Sequence, residues 1–556
     1  MMKKTITIFA FVCLSASLYA QNVNQTIQVT NDYRSSAPEA NKRSLDLSVS
    51  DTMLVFDYKF DYSVFDTPYR GSYQFSPYTV RLDPVRSSTY NNRLYARFGA
   101  GYCLHPELSI DWEAVSREQF SLSVFADASG YYGKYKTFND IHSLKAYGAP
   151  NQDGFDFADR LGASGRITLN ANDIRFEAGH EGIFAADRIA GGGYNSVFLK
   201  SSIRSNGNSS SFFFYDLGLD YRYGIDNVYY SANDKPLVGE HNLSLHGTAG
   251  PVLNERYRFL ADFGIDYEYS PYLSGVTTLV RLTPRFEFVA GPVLVSAGAK
   301  LFFDKEKPFT VAPDIRADVS FFKGRLNLNA ALGGDAQIAS YYSLKSRNHF
   351  FVPSMAVFGE GKESIQIVRE RLSAKLRADG CFRNLRVYLG GGWAIRQNEI
   401  GNTYKIMSSR VADAYALFDY QLLSADAGAS WISESVRADV NLHLRHGIDY
   451  KNMSSAVFRP ALLSGDGRVE YNWNGRILAG LSLEASMARK MYSSDLEVRK
   501  ISIPGWICPG IDFSYVFSET WTFWAKAGNL SGVSARYDLT HVQAGPYITL
   551  GATCRF

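Results

Sequence analysis

The residue types that could do chemistry in this chain are nine histidines, five cysteines and two runs of three glycines. A metal centre needs imidazoles or thiolates that converge on one point, and along a strand the separation decides whether two residues share a face. The close pairs His241/His246 and His443/His446 have odd separations, so each pair points to opposite faces of a strand and builds no metal site. Gly191-Gly192-Gly193 and Gly390-Gly391-Gly392 are not followed by the helix pattern that a phosphate-cradling loop requires, and bends in a sheet or flexible connections account for them. Nucleophilic catalysis finds no Gly-x-Ser-x-Gly signature. A Ser/His/Asp arrangement is assembled by geometry rather than spacing, so a hydrolase stays open as a minor alternative. No catalytic, cofactor-binding or metal-ligating residue is assigned, and no cofactor is expected.

The elements that would have to position such residues begin with a leader. Lys3 and Lys4 precede an apolar stretch from Thr5 to Leu18, and Leu18-Tyr19-Ala20 gives a small-residue exit before Gln21. This is the pattern of a secretory signal peptide over residues 1–20. Cys13 falls inside it, which leaves Cys103, Cys381, Cys508 and Cys554 in the exported chain. Those four are scattered without metal-ligand spacing, and in an oxidising envelope they either pair or stay free.

Past Ala20 no segment approaches the ~18 to 20 apolar residues of a spanning helix, which excludes a helical membrane protein. Yet aromatic residues make up 14% of the chain, with 36 Tyr and 37 Phe, an unusual composition for a soluble enzyme. Strands that show one face to lipid and the other to water have this composition. A net charge of +3 with 20% charged residues carries no polyanion signal, so nucleic acid is not an expected partner.

Residues 21–92 are irregular and rich in Asp, Ser, Pro and Tyr, with the near-repeat Phe56-Asp57-Tyr58 and Phe60-Asp61-Tyr62. From Arg93 the texture changes to alternation. Leu94, Ala96, Phe98, Ala100 and Tyr102 share one face against Arg93, Tyr95, Arg97, Gly99 and Gly101. Val436, Ala438, Val440, Leu442 and Leu444 oppose Arg437, Asp439, Asn441, His443 and Arg445 in the same way. Short turns, among them Ser116 to Gln119, Ala171 to Asp173, Phe322 to Gly324, Phe382 to Asn384, Trp473 to Gly475 and Ser518 to Thr520, alternate with longer polar connections. The longer ones include Tyr131 to Asp153, Gly224 to Glu240, Ile338 to Glu363 and Tyr492 to Pro504. Tight turns on one side and extended loops on the other are the mark of an antiparallel outer-membrane barrel.

The pattern predicts an all-β transmembrane antiparallel β-barrel over residues 93–556 with about 22 strands, within a range of roughly 20 to 24. Val411 to Ile432 is the segment least suited to a single strand, being long and poorly punctuated. A barrel this wide cannot be filled by side chains and must hold water, a plug or inserted loops. Its inward positions carry both signs: Arg97, Arg316, Arg386, Arg396, Arg437, Arg445 and Lys526 beside Asp216, Asp220, Asp262, Asp266, Glu268, Asp314, Asp318 and Asp439. Charges that pair across strands account for such a lining better than solute contact does. Tyr257, Phe259, Phe263, Tyr267 and Tyr269 on one strand, and Trp521 and Phe523 on another, suit the lipid face.

Val29-Thr30-Asn31-Asp32-Tyr33, Asp51-Thr52, Phe60-Asp61-Tyr62, Thr67-Pro68-Tyr69 and Pro77, followed by Leu94 to Gly101, resemble a group of Bacteroidetes-type TonB-dependent receptor-like outer-membrane proteins. Gly528-Asn529-Leu530 through Gly545, with the ending Gly551 to Phe556, is similar to the closing strands of TonB-dependent receptor barrels. The resemblance implies an outer-membrane barrel for solute passage or uptake, in contact with outer-membrane lipid. A terminal aromatic, Phe556, on an alternating last strand resembles the signal read by the outer-membrane assembly machinery. Receptors of this kind carry a folded plug and an energy-coupling box; Gln21 to Asn92 is too short and irregular for a full plug, and Ile27-Gln28-Val29, a faint match to the box, reads better as the start of an ordinary extended segment. The N-terminal segment, lumenal or periplasmic, is where a TonB-type coupler or another envelope protein would bind. A structural or assembly partner of such a protein is the alternative to transport.

Overall fold

The computed structural model describes residues 93–102, 104–136, 152–169, 172–186, 191–205, 212–227, 237–254, 256–271, 275–351, 356–357, 366–407, 410–492, 502–531, 542–543 and 545–556. The expected leader over residues 1–20, the segment 21–92 and Cys103 lie outside the described residues.

One 24-stranded sheet contains nearly every strand. Two of its members are dipeptides laid against the wall, Ala356–Val357 and Val542–Gln543. The remaining 22 pair with their sequence neighbours and close into an antiparallel ring, as the alternation predicts. Closure is made by the first strand, Leu94–Tyr102, which pairs with Glu107–Ser116 on one side and with the last strand, Tyr547–Arg555, on the other. Leu94 and Phe556 exchange two backbone hydrogen bonds of 2.8 Å at the end of that seam. Closure is obligatory, because lipid offers the backbone no hydrogen-bonding partner.

Alternation sorts the side chains as expected. Val440, Leu442 and Leu444 are exposed on the outer surface, while Arg437, Asp439, His443 and Arg445 face inward. On the strand Tyr257–Ser270, Tyr257 stacks on Phe288 at 5.3 Å and Phe259 tilts against Phe286 at 4.8 Å near the short-turn end. Towards the other end, Tyr269 stacks on His241 at 6.0 Å. The ~40 Å of strand between Tyr257 and Tyr269 rises ~30 Å at the usual tilt, which brackets the ~25 Å apolar band of such barrels. These two aromatic rows mark the lipid boundaries.

The short turns cluster at one end of the barrel. Asn474 and Gly475 both have positive φ, 53° and 67°, in the three-residue connection between the paired Trp473 and Ile477, which favours Asn and Gly there. At the turn predicted for Ala171 to Asp173, strand pairing already begins at Asn172, so Asn172 and Asp173 belong to the wall instead. The longer connections are also trimmed by pairing, since strands run on to Lys136 and Asn227 and restart at Gln152 and Leu237.

Val411 to Ile432 is one strand, Arg410–Ile432, paired along its length with Leu385–Met407, and both have 23 residues. At ~3.3 Å per residue this hairpin is ~76 Å long and rises well beyond the apolar band. Its weak punctuation has a physical cause. Above the bulge at Tyr420, Tyr415 and Leu417 pack inward while Ala416 and Phe418 are covered by Val457, so both faces are buried and the two-residue alternation fades.

Candidate functional site

The lumen is the place where this fold could act on a solute, and its wall is built from ion pairs, some across neighbouring strands and some between residues of one strand. Arg281 meets Asp266 at 2.6 Å, Arg437 meets Asp439 at 2.9 Å, and Arg445 meets Asp426 at 2.7 Å. Arg285 pairs with Asp262, and Arg316 with Asp314 at 3.2 Å. Arg97 and Lys526 share Glu107 at 3.5 and 3.8 Å. Asp216 lies 3.8 Å from Arg204, and Asp318 accepts a hydrogen bond from Asn329. Arg396 sits at a bulge between Glu370 and Glu399, 3.5 and 3.0 Å away. Each such pair stabilises by only ~0.2 to 1 kcal/mol, so this part of the lining is a solvated wall.

One region departs from that description. After the strand Leu326–Ala339 the chain turns inward and forms the helix Tyr341–Arg347. Ser340 caps it by accepting the Ser343 amide at 3.1 Å, and Lys345 and Arg347 occupy its last turn, where the carbonyl dipoles favour cations. The helix packs against inward-facing groups of several strands. The Tyr341 hydroxyl donates to Asp226 Oδ2 at 2.6 Å, the Tyr342 hydroxyl to Glu181 Oε1 at 2.5 Å, and the Tyr194 hydroxyl to Glu240 Oε1 at 2.6 Å. The first amides of the helix point at Glu268 and Glu240, 3.4 and 3.3 Å away. His349 reaches Asp156, and the Arg222 guanidinium lies 3.7 Å over the Tyr342 ring while it bonds Glu181. On its other side the loop meets a different arc of the ring, where Tyr341, Leu344 and Phe351 join Ile400, Tyr415 and Leu417 in one apolar cluster.

Lys345 is the least ordinary member. Both Lys345 and Asp226 are fully buried, with Nζ 3.1 Å from Asp226 Oδ2 and donating to the Phe351 carbonyl at 3.1 Å. Burial pulls the lysine below its ordinary range, and the attraction of Asp226 opposes that shift. Burial likewise pushes the Tyr341 hydroxyl up, with the Asp226 charge adding to it, so it serves as a neutral donor. A glycine makes room for the pair: a Cβ at Gly192 would stand 2.7 Å from Asp226 Oδ1 and 3.0 Å from Lys345 Nζ. The run Gly191 to Gly193 is thus part of a strand whose surface is cleared for this lysine, where the sequence suggested a bend or a loose connection. Gly390 to Gly392 also lie within a strand.

Sequence reasoning placed Ile338 to Glu363 among the outer loops and missed this insertion. Signals were present in the doublets Tyr341-Tyr342 and Phe350-Phe351, which are too apolar for a solvated loop, and in the carboxylates Glu181, Asp226 and Glu240 near the outer ends of neighbouring strands.

His241 lies in the outer aromatic row against Tyr223, while His246, five residues on, pairs with Gly264. His443 faces inward on Asp426 at 2.7 Å, and His446 pairs with the exposed Leu423. Among the described residues no group of three or more His, Cys, Asp or Glu is arranged to hold a metal, and Cys381, Cys508 and Cys554 are free thiols.

By sequence, the chain matches no family model and no curated protein. Its fold is similar to that of a solved receptor and two solved transporters. The ferric enterobactin receptor PfeA of Pseudomonas aeruginosa superposes with a TM-score of 0.61 at 10% identity, over 83% of this chain and 80% of the receptor. The copper transporter OprC gives 0.61 at 12% identity over the same shares. The FrpB iron transporter of Neisseria meningitidis gives 0.61 at 9% identity over 84% and 82%. The chain is an outer-membrane β-barrel that shares the fold of these barrels.

Proposed function

We propose that the protein takes up or passes a solute across the outer membrane, as a receptor-type barrel rather than an enzyme. The observation that carries this reading is a closed 22-strand wall, lipid-facing outside and charge-lined inside, whose width exceeds what its own side chains can fill. The fold it shares with a receptor named for ferric enterobactin and transporters named for copper and iron supports the same reading.

In this reading residues 1–20 export the chain, and residues 21–92 form a separate lumenal or periplasmic segment rather than a full plug. That segment is where a TonB-type coupler, or another envelope protein, engages. The Bacteroidetes-type resemblance of the same segment belongs to the proposal, as does recognition of the strand ending at Phe556 by the assembly machinery. Long loops at the open end carry the specificity.

Conductance of the purified barrel in planar bilayers tests the reading, with the intact chain compared with one lacking Gln21 to Asn92. Ion flow through either form supports a transport barrel. Silence in both forms, from barrels that are demonstrably folded, favours a closed scaffold for an envelope partner.

A further inference from the structure

The inward chain from Ser340 to Phe351 does more than decorate the mouth of the barrel. Its polar contacts fall on one arc of the wall, at Asp156, Glu181, Asp226, Glu240 and Glu268, while the apolar cluster it joins includes Ile183, Tyr194 and Val238 on that arc and reaches Ile400, Tyr415 and Leu417 on another. A segment anchored on both arcs spans part of the opening between them. Its height follows from register: Glu268 lies between Tyr267 and Tyr269, and Glu240 precedes His241, all of them neighbours of the outer aromatic row. The helix therefore sits inside the lumen at the level of the outer lipid boundary.

Its docking is also built into the wall. A side chain at position 192 would press on Asp226 Oδ1 and Lys345 Nζ, so the pair would have to shift from its present geometry. The lysine has no alternative solvent path in this arrangement, being fully buried along with its partner. A loop that merely rested against the wall would keep such a charge in water.

We propose that residues 340–351 form a permanently docked constriction that sets the size limit for solutes, with the Lys345–Asp226 pair and Gly192 as the residues that fix it. This rests on the solute-passage reading above. Anything that crosses must go around the docked helix, along the remaining wall, whose charges are paired with one another and partly exposed. The limiting aperture is thus a property of this chain's own loop at the outer boundary.

Two variants test it in liposomes and planar bilayers. One replaces Tyr341 to Phe351 with a Gly/Ser linker of equal length; the other, Gly192→Val, leaves the loop intact and obstructs its seat. Both are measured in the full chain and in a chain lacking Gln21 to Asn92, after folding is checked by heat-modifiable gel mobility. The probes are potassium chloride for conductance and a series of neutral sugars of increasing size for swelling. The expected result is a severalfold rise in conductance and passage of larger sugars with both variants, in at least one background. Conductance and sugar limit unchanged by both variants, in a barrel that conducts, would overturn the constriction while leaving solute passage standing. Silence of every form would remove the solute-passage reading itself, and the constriction with it.

Discussion

The Arg97 guanidinium lies 3.9 Å from the centre of the Trp524 ring, across the seam where the barrel closes. Arg97 belongs to the first strand and Trp524 to the penultimate one, so the indole covers the last strand where Gly99 faces Gly551. A Cβ at either glycine would overlap the indole. The closing strands are therefore held by a ring clamped between a cation and two bare backbone positions, in addition to their ladder.

Removing this clamp should weaken closure. Trp524→Ala is expected to cost about 3 kcal/mol, and Gly551→Leu should displace the ring to similar effect. The folded, fast-migrating gel band should disappear at a lower temperature in both. An unchanged melting of that band would show that the ladder alone suffices.

The buried pair in the lumen makes a second, sharper prediction. Lys345→Met leaves Asp226 buried without its cation and should weaken docking of the helix by about 3 to 5 kcal/mol. The double variant Lys345→Met with Asp226→Asn should recover much of that loss. Hydrogen exchange of the helix amides reads the difference, and equal protection in single and double variants would dissolve the coupling.

Adjacent residues on one strand should respond unequally to the same change. Leu442 is exposed on the outer face, whereas His443 faces the lumen beside Asp426 and Asp466. Leu442→Arg is expected to cost about 2 to 4 kcal/mol in urea titrations of vesicle-embedded protein, while His443→Arg should cost under about 1 kcal/mol. Equal losses would contradict the assignment of faces.

Phe556 stands exposed at the lipid boundary with its ring edge-on to Trp521 at 6.5 Å. If the assembly machinery reads this residue, Phe556→Ala should lower the amount of barrel assembled in cells severalfold and leave the refolded protein stable in vitro. Equal loss in both settings would make the residue a packing element only.

Sequence alone determined the parts of this protein that depend on local periodicity. Strict alternation in segments such as Leu94 to Tyr102 and Val436 to Arg445 decides which side chain meets lipid and which meets water, because strand side chains alternate without exception where the ladder is regular. Strand number followed from that period and the turns, and closure followed from the demands of lipid on the backbone. What the sequence could not decide were contacts between residues far apart in the chain. The pairing of Lys345 with Asp226, the empty surface that Gly192 leaves for them, and the meeting of Arg97 with Trp524 each join separate strands or loops across the ring. Alternation says only that a residue points inward. Which partner waits there is fixed by register, bulges and the path of a loop, and those exist only once the barrel has closed.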